Sequence, residues 1–561
     1  MNHTLTHLHP VLQRIYQARH IQSADELNYD IKRLLHFGNL KGIKTAAKLL
    51  GEAIINQQRI LIVGDFDVDG ATSTTLSVLA LRAFGAKHVH YLVPNRFEYG
   101  YGLTPEIVAI ADSPDIIMTV DNGISSYEGV VAAQQLGIKV VVTDHHLPPE
   151  ILPPADAIVN PQQEGDLFES KSLAGVGVAF YVMLAVRQYL QECNWFKNNE
   201  IEYPKMNRFL DLVALGTVAD MVSLDMNNRI LVYYGVRQLR LNLTRPGIRA
   251  LAQVAQCDLT KCIASDLSFL LAPRLNAAGR LTDMSLGIEC LLAHDMTTAL
   301  DYASQLDCLN RERRDIEQTM QKKAFSAINR VILSNEQASI CLFDSAWHQG
   351  VTGLVAGRIK ERWKRPAIVF APSNTPDELK GSARSIPGIH IRDVLATIAA
   401  QYPHLLSRFG GHAAAAGLSL KTEHYPQFKT IFEEKMQAIM HALKPKDMPS
   451  TDGSLTCEEL NVELAMLIRE AGPWGQNFPE PLFEGYFEII SQRLVGQRHL
   501  QLKLKMAGVV AALKGILFNV DVDQWPNLRV RQVKALYRLE VNEWEGRRDI
   551  QLKVESLLSY P

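Results

Sequence analysis

Three carboxylates at alternate positions, Asp65, Asp67 and Asp69, stand in Arg59-Ile-Leu-Ile-Val-Gly-Asp-Phe-Asp-Val-Asp-Gly-Ala-Thr, after an apolar run and before a helix-forming one. An open α/β sheet places its chemistry at such a point, the carboxyl end of a strand. Clustered carboxylates raise one another's pKa unless a cation sits among them, so a divalent metal site is the simplest resolution. The same pattern recurs in Asp115-Ile-Ile-Met-Thr-Val-Asp121, in Ile138-Lys-Val-Val-Val-Val-Thr-Asp144-His145-His146 and in Leu212-Val-Ala-Leu-Gly-Thr-Val-Ala-Asp220. One Asp after a strand is ordinarily a helix cap or a turn residue. Four along one α/β unit point instead to a metal centre.

The elements that must position these acids follow from apolar periodicity. Residues 1–57 read as a helical lead-in, with His3, His7 and His9 expected in a mobile tail. Residues 58–296 alternate strand and helix, the pattern of a doubly wound parallel sheet. Residues 297–330 carry Leu300, Ala303, Leu306, Leu309, Ile316 and Met320 at three-to-four spacing without Pro or Gly, which predicts a long helix, either a connector between lobes or a packed core helix. A second α/β lobe is expected over 331–445, and the Gly410–Gly417 segment is read as a tightly packed helix start. A turn-rich linker with an acidic helical segment covers 446–481. From 482 to 561 the texture turns all-β, with alternation in His499-Leu-Gln-Leu-Lys-Leu-Lys, and predicts a small barrel of the OB type.

Composition sets limits. The 561 residues, 47% hydrophobic and 21% charged, are enough for several domains, and a net charge of −2 names no partner. Residues 490–561 nevertheless hold twelve Lys or Arg against seven Asp or Glu, the charge expected of a track for a polyanion. Seven scattered Cys, of which Cys257 and Cys262 are the nearest pair, argue for reduced structural thiols rather than a disulfide frame or a zinc knot. The N-terminal stretch has no basic region followed by an apolar core, and no apolar run approaches a membrane span, so a cytoplasmic protein is expected.

Asp-x-Asp-x-Asp, Asp-Asn-Gly, Asp-His-His and Gly-Thr-Val-Ala-Asp, in this order, resemble the DHH phosphoesterase superfamily. Pro273-Arg-Leu-Asn-Ala-Ala-Gly-Arg280, Trp347-His-Gln-Gly-Val-Thr-Gly-Leu-Val-Ala-Gly-Arg358 and Gly410-Gly-His-Ala-Ala-Ala-Ala-Gly417 are similar more narrowly to its RecJ family of bacterial single-strand-specific DNA exonucleases. The resemblance runs from about residue 8 to the C-terminus. It implies a DHH domain, a connecting helix, a DHHA1-type substrate-binding lobe and an OB-type barrel. It also implies a 5′-to-3′ exonuclease releasing 5′-mononucleotides in recombination and repair, with a single-strand-binding protein and a RecQ-type helicase as protein partners; a site enclosed by its own lobes needs no second subunit, so a monomer is expected.

In its metal centre the resemblance places Asp65 and Asp67 on one ion, Asp69, His145 and Asp220 on the other, and Asp121 between them. Two metals about 3.5–4 Å apart activate water and clamp a phosphate, and a set of carboxylates with one imidazole suits Mn²⁺ or Mg²⁺ better than Zn²⁺. Asp144 is expected to orient an imidazole, and His146 to serve as a further ligand, as a phosphate-facing acid, or as a brace of its turn. Arg274, Asn276 and Arg280 are candidates for binding the DNA backbone, since Arg can fork onto phosphate; the motif read alone is equally a surface turn. His412, on Gly410 and Gly411, would reach the scissile phosphate. His348, Arg358, Ser382 and Arg384 are candidates for gripping the strand or its terminal phosphate, and Phe97, Tyr99 and Tyr101 for stacking bases. Two other readings stand beside this one: a phosphodiesterase of small substrates such as short oligonucleotides or cyclic dinucleotides, and a non-catalytic DNA-binding protein on a decayed DHH domain. The basic barrel argues against the first, the complete acid and His set against the second.

Overall fold

The computed structural model describes residues 5–95, 98–331, 337–442, 451–496, 498–508, 512–520, 522, 524–544 and 546–559. Its first sheet is five parallel strands, β1 (Ile60–Gly64), β2 (Val89–Leu92), β3 (Ile116–Val120), β4 (Lys139–Thr143) and β5 (Ala157–Val159), in the order β2-β1-β3-β4-β5. Alternate residues go to opposite faces. Ile60, Ile62, Ile116, Met118, Val120 and Val141 join one apolar core, while Leu61, Val63, Ile117, Val140 and Val142 join another. A sheet covered on both faces needs near-continuous apolar strands, as these sequences supply. The order reverses between β1 and β3, and a doubly wound sheet opens a crevice at that switch point. Asp65 follows β1 and Asp121 follows β3, so both border it.

The alternation of strand and helix expected as far as residue 296 stops at β5; the described chain from Gly175 to Val331 is helical wherever it is regular. The expected strand before Asp220 is the helix Leu210–Ala219, and Asp220 is its C-cap. Every residue from Leu210 to Val218 is buried. A short apolar run surrounded on all sides reads the same as helix or strand, which is why periodicity misassigned it. At the N-terminus His9 is no part of a loose tail: its Nδ1 accepts the Val11 amide and caps the helix Pro10–Ala18. His3 lies outside the described residues.

The long helix spans Met296–Val331. Ala299, Ala303 and Leu306 are buried in the core of the first lobe, and Met320, Ala324 and Ile328 in that of the second. It is both a connector and a core helix, one end in each lobe. The second sheet is mixed, β6 (Ile340–Phe343), β7 (Ala367–Pro372), β8 (Glu378–Arg384), β9 (Arg408–Gly411) and β10 (Ala415–Lys421), in the order β6-β7-β8-β10-β9. The Gly410–Gly417 segment is therefore an antiparallel hairpin and not a helix start. Four consecutive Ala favour helix, but the pairing of Ala415 and Ala416 with β8, and of Ala416 with β9, overrides that preference.

At the C-terminus β11 (Phe483–Val495), β12 (His499–Lys505), β13 (Leu513–Leu517), β14 (Gln532–Trp544) and β15 (Arg547–Ser559) close into a barrel, ordered β11-β12-β13-β15-β14. Its interior, including Phe483, Leu502, Tyr537 and Leu552, is continuous with the core of the first lobe. The acidic helical segment is the shorter helix Val462–Glu470, and the turn-rich stretch 444–450 lies outside the described residues. No helix among the described residues is long and apolar enough to cross a membrane.

Candidate metal centre

Three strand ends and one helix end deliver the acids. Asp67 caps the helix Val68–Ala83 by accepting the Gly70 amide, and Asp65 accepts the amide of Phe66. Asp121 holds a left-handed backbone, φ 61°, with its amide on the Thr143 carbonyl. Such a conformation costs a non-glycine residue about 1–3 kcal/mol and is found where function demands it. Asp69 is fully buried, and its two oxygens accept the Gly175 and Val176 amides at 2.6 and 2.8 Å, where the helix Gly175–Glu192 begins. A Cβ on Gly175 would come within 2.6 Å of Asp121, so only glycine lets this helix end approach the carboxylates.

His145 sits among them. Its Nε2 lies 3.2 Å from Asp121 Oδ1, 3.5 Å from Asp220 Oδ2 and 4.0 Å from Asp69 Oδ2. Its Nε2 thus faces the acids, as a metal ligand requires. Burial and the neighbouring His146 hold its pKa down at about 3, so it is neutral. Burial and mutual repulsion act the other way on the acids: Asp69 is pushed up to about 7, and Asp121 and Asp220 rise well above the carboxylate range. Asp121 Oδ1 is buried without a hydrogen-bond partner. Ligand atoms of Asp65, Asp67 and Asp121 lie within 4.8 Å of one another, as do those of Asp69, His145 and Asp220. Two pockets of negative charge that meet at Asp121, with one orphaned oxygen between them, fit a pair of hard divalent cations.

Asp144 is buried and braces the neighbouring turn. One oxygen accepts the amides of His145 and His146 and contacts His146 Nδ1 at 2.7 Å; the other accepts the Ile124 amide. Burial would lower the His146 pKa, but the Asp144 hydrogen bond and the surrounding carboxylates together push it up to about 9. Tyr101 Oη adds a contact 3.3 Å from His146 Nδ1. Tyr101 thus braces the imidazole as well as offering an exposed ring, a link the sequence did not signal. Phe97 lies outside the described residues. From the second lobe His412, in the turn between β9 and β10, brings its ring to 5.7 Å from that of His146.

The other candidates fall in three places. Arg274 is buried, its Nε donating to Asp307 of the long helix at 2.9 Å and its Nη1 to the Leu270 carbonyl, so the expected phosphate fork is a clamp between helices. Asn276 and Arg280 are half-buried on the same helix, Ala272–Leu281. Its small residues do serve close approach, to the metal loop: a Cβ on Gly279 would meet the Phe66 carbonyl at 1.8 Å. Arg358 pairs with Glu317 of the long helix and with Glu361, which ties it to the connector. His348, Ser382 and Arg384 do converge, at the start of the helix Thr352–Trp363. His348 Nδ1 accepts the Gly350 amide, Ser382 Oγ lies 2.9 Å from Thr352 Oγ1, and the Arg384 guanidinium lies against Gly353. Lys380 and Thr352, absent from the sequence reading, belong to this group, since Lys380, Ser382 and Arg384 alternate onto one face of β8. Gly417 pairs with Ser382 and Gly410 with Gly417; a Cβ at either glycine would meet nothing within 4 Å, so this floor is open.

Much of the barrel's positive charge is neutralised by its own acids. Lys514 pairs with Asp549, Lys534 with Glu484, Lys553 with Glu540, and Arg538 with Glu480 and Glu555. Arg493, Lys503 and Lys505 are exposed on β11 and β12, and Arg498, Arg529, Arg531 and Arg547 are exposed elsewhere on the barrel; the rings of His499 and Phe518 lie 5.1 Å apart.

Family models match over residues 59–217 (DHH family, N-terminal domain), 335–438 (DHHA1 domain) and 451–556 (RecJ OB domain). The chain is 48% identical over 554 residues to the single-stranded-DNA-specific exonuclease RecJ of Escherichia coli, covering 98% of this chain and 96% of that one. It is 49% identical over 555 residues to that of Haemophilus influenzae, with the same coverage. The crystal structure of Thermus thermophilus RecJ with Mn²⁺ superimposes with a TM-score of 0.80 at 29% identity, over 99% of this chain and 76% of that one, and the Mg²⁺ complex with 0.74 at 28%, over 99% and 75%.

Proposed function

The chain belongs to the RecJ family of single-stranded-DNA-specific exonucleases, and from that premise we propose that it hydrolyses single-stranded DNA from the 5′ end to 5′-mononucleotides in recombination and repair. The observation that carries the reading is the pair of donor groups, Asp65/Asp67/Asp121 and Asp69/His145/Asp220, sharing a border at Asp121. Asp65, Asp67 and Asp121 would hold one Mn²⁺ or Mg²⁺ ion and Asp69, His145 and Asp220 a second, with the Asp121 carboxylate within reach of both groups. When bound, such ions activate water and neutralise charge on the phosphoryl oxygens.

The chain's own residues do the rest. The amides of Gly175 and Val176 fix the Asp69 oxygens. Asp144 holds His146 by its Nδ1, leaving Nε2 for the phosphate or for the departing 3′-oxygen, which takes up a proton as its bond to phosphorus breaks. His412 supplies a donor from the opposite lobe to the oxygens of the same phosphate. The terminal 5′-phosphate is assigned to the start of the Thr352–Trp363 helix, among Ser382, Arg384, Lys380 and His348, since amides at a helix start and cationic side chains both favour an anion. The open floor at Gly417 and Gly410 then seats the terminal nucleotide. Beyond the scissile bond, the β11–β12 face of the barrel follows the strand. We place the enzyme in the cytoplasm as a monomer, with a single-strand-binding protein and a RecQ-type helicase supplying its substrate.

End-labelled DNA tests the reading. With Mn²⁺, a 5′-labelled single strand should release labelled mononucleotide from the first turnover, a 3′-labelled one should shorten progressively, and a blunt duplex should survive. Preference for dinucleotides over longer strands would favour a small-substrate phosphodiesterase instead.

A further inference from the structure

Two thiols and a carboxylate converge on the side of the first lobe that meets the barrel. Cys257 follows the helix Pro246–Val254, Cys262 closes the turn Leu259–Lys261, and Asp266 lies four residues on. Their Sγ, Sγ and carboxylate oxygen atoms lie within 4.8 Å of one another, and the Cys262 thiol donates to the Ile263 carbonyl. Each is held by its own backbone: Cys257 N–H donates to Ala252 O, Cys262 N–H to Leu259 O, and Arg240 Nε to Cys262 O. One Asp266 oxygen accepts the Ile263 amide at 2.9 Å, which leaves the other for a ligand. Cys262 is buried while Cys257 and Asp266 are half-buried, so the group is walled on one side and reachable from the other.

We propose that Cys257, Cys262 and Asp266 form a binding site for one thiophilic divalent cation of the zinc class, separate from the carboxylate centre that takes Mn²⁺ or Mg²⁺. Ligand chemistry keeps the two sites apart. Thiolates select Zn²⁺ and its soft relatives, whereas carboxylate sets suit Mn²⁺ and Mg²⁺. Two sulfurs and one oxygen fill three corners of a tetrahedron and leave the fourth for water or an external thiol. Loading is a plain exchange: two S–H bonds are replaced by two S–metal bonds, two protons leave to solvent, and nothing is oxidised. The same loop carries Lys261, whose ammonium pairs with Glu543 of the barrel, so a cation here stiffens the seat on which the barrel rests.

Cobalt titration of the reduced full-length protein tests the site, because sulfur-to-cobalt charge transfer reports thiolate ligation and a carboxylate and imidazole centre gives none. With saturating Mn²⁺ present, one equivalent of Co²⁺ should produce that absorption, and Zn²⁺ should remove it. The band should be lost in C257S and in C262S and should need at least tenfold more Co²⁺ in D266N, which keeps an acceptor for the Ile263 amide. It should be unchanged when the exposed thiols are replaced together in C193S/C308S/C457S. Each variant is checked first for an unchanged melting temperature without cobalt; C257S, at a half-buried position, and D266N serve if C262S does not fold. Absence of the band in the unmodified chain, or its persistence in folded C257S, overturns the proposal.

Discussion

His146 and His412 come from different lobes and lie face to face, ring centroids 5.7 Å apart and planes inclined by 30°. The first is held at its Nδ1 by Asp144 and kept charged, with a pKa of about 9, while burial and that neighbouring charge push the second below its ordinary value. One charged and one neutral imidazole therefore flank the same space over the carboxylates. His412→Ala should leave strand affinity within about twofold and lower turnover on the order of a hundredfold, about 3 kcal/mol for a donor whose bond strengthens as charge develops. Single-turnover kinetics at saturating strand measures this; unchanged turnover with weakened binding would make His412 a ground-state anchor.

Asp121 borders both donor groups and carries the buried oxygen without a partner. Asp121→Ala should reduce bound Mn²⁺ by calorimetry from two ions to one or none and bring hydrolysis below detection. Circular dichroism should stay native, because little apolar surface is lost. Two ions bound and near-normal turnover in saturating Mn²⁺ would refute its shared position.

The metal-free acids also set a pH trend. Asp69, raised to about 7 by burial and repulsion, keeps its proton in the folded chain where an unfolded Asp, near 4, has released it. Its contribution to stability is complete below about pH 4 and is lost as pH rises through about 7; Asp121 and Asp220, also raised well above the carboxylate range, add to the loss. His145, held neutral, opposes this between about 3 and 6.5 with one proton against three. Bound cations remove the repulsion. The gap in melting temperature between the Mn²⁺-loaded and EDTA-treated protein should therefore widen from about pH 6 to 8. A constant gap would contradict the raised carboxyls.

The strand-end acids were legible because β1, β3 and β4 are apolar on both faces and end abruptly on Asp65, Asp121 and Asp144. Asp220 was found for the wrong local reason, since a buried helix and a buried strand share one apolar signature. Long-range partners left no mark at all. Nothing in Gly175-Val176 announces that their amides hold Asp69, over a hundred residues earlier, nor in Arg274 that Asp307 claims it. The charge excess of the barrel was visible, but its partition into paired and free cations depends on strand register.

Gly279 joins sequence to site through contact alone. A methyl there would overlap the Phe66 carbonyl, between Asp65 and Asp67, so Gly279→Ala must push the Ala272–Leu281 helix off the metal loop. Overpacking of this kind costs on the order of 1–3 kcal/mol. The expected result is a lower melting temperature together with weaker Mn²⁺ binding, while Gly357→Ala, where a Cβ meets nothing within 4 Å, should change neither. Equal behaviour of the two variants would show that the loop tolerates displacement.

The barrel shares its core with the first lobe, so removing it would expose apolar surface and confound any loss of binding. Point substitutions avoid this. Arg493, Lys503 and Lys505 project from β11 and β12 without an acidic partner among the described residues, whereas Lys553 is paired with Glu540 on the same barrel. A phosphate contact on single-stranded DNA contributes about 0.7 to the slope of log affinity against log salt, so Arg493→Ala/Lys503→Ala/Lys505→Ala should flatten that slope by about 2. Lys553→Ala should leave it unchanged, because its charge is already neutralised. Cleavage of a very short oligonucleotide should survive in both, since the carboxylate centre is untouched. If the triple variant binds long strands with the slope of the unmodified chain, the strand does not run along β11 and β12, and the barrel serves as a structural or protein-docking module.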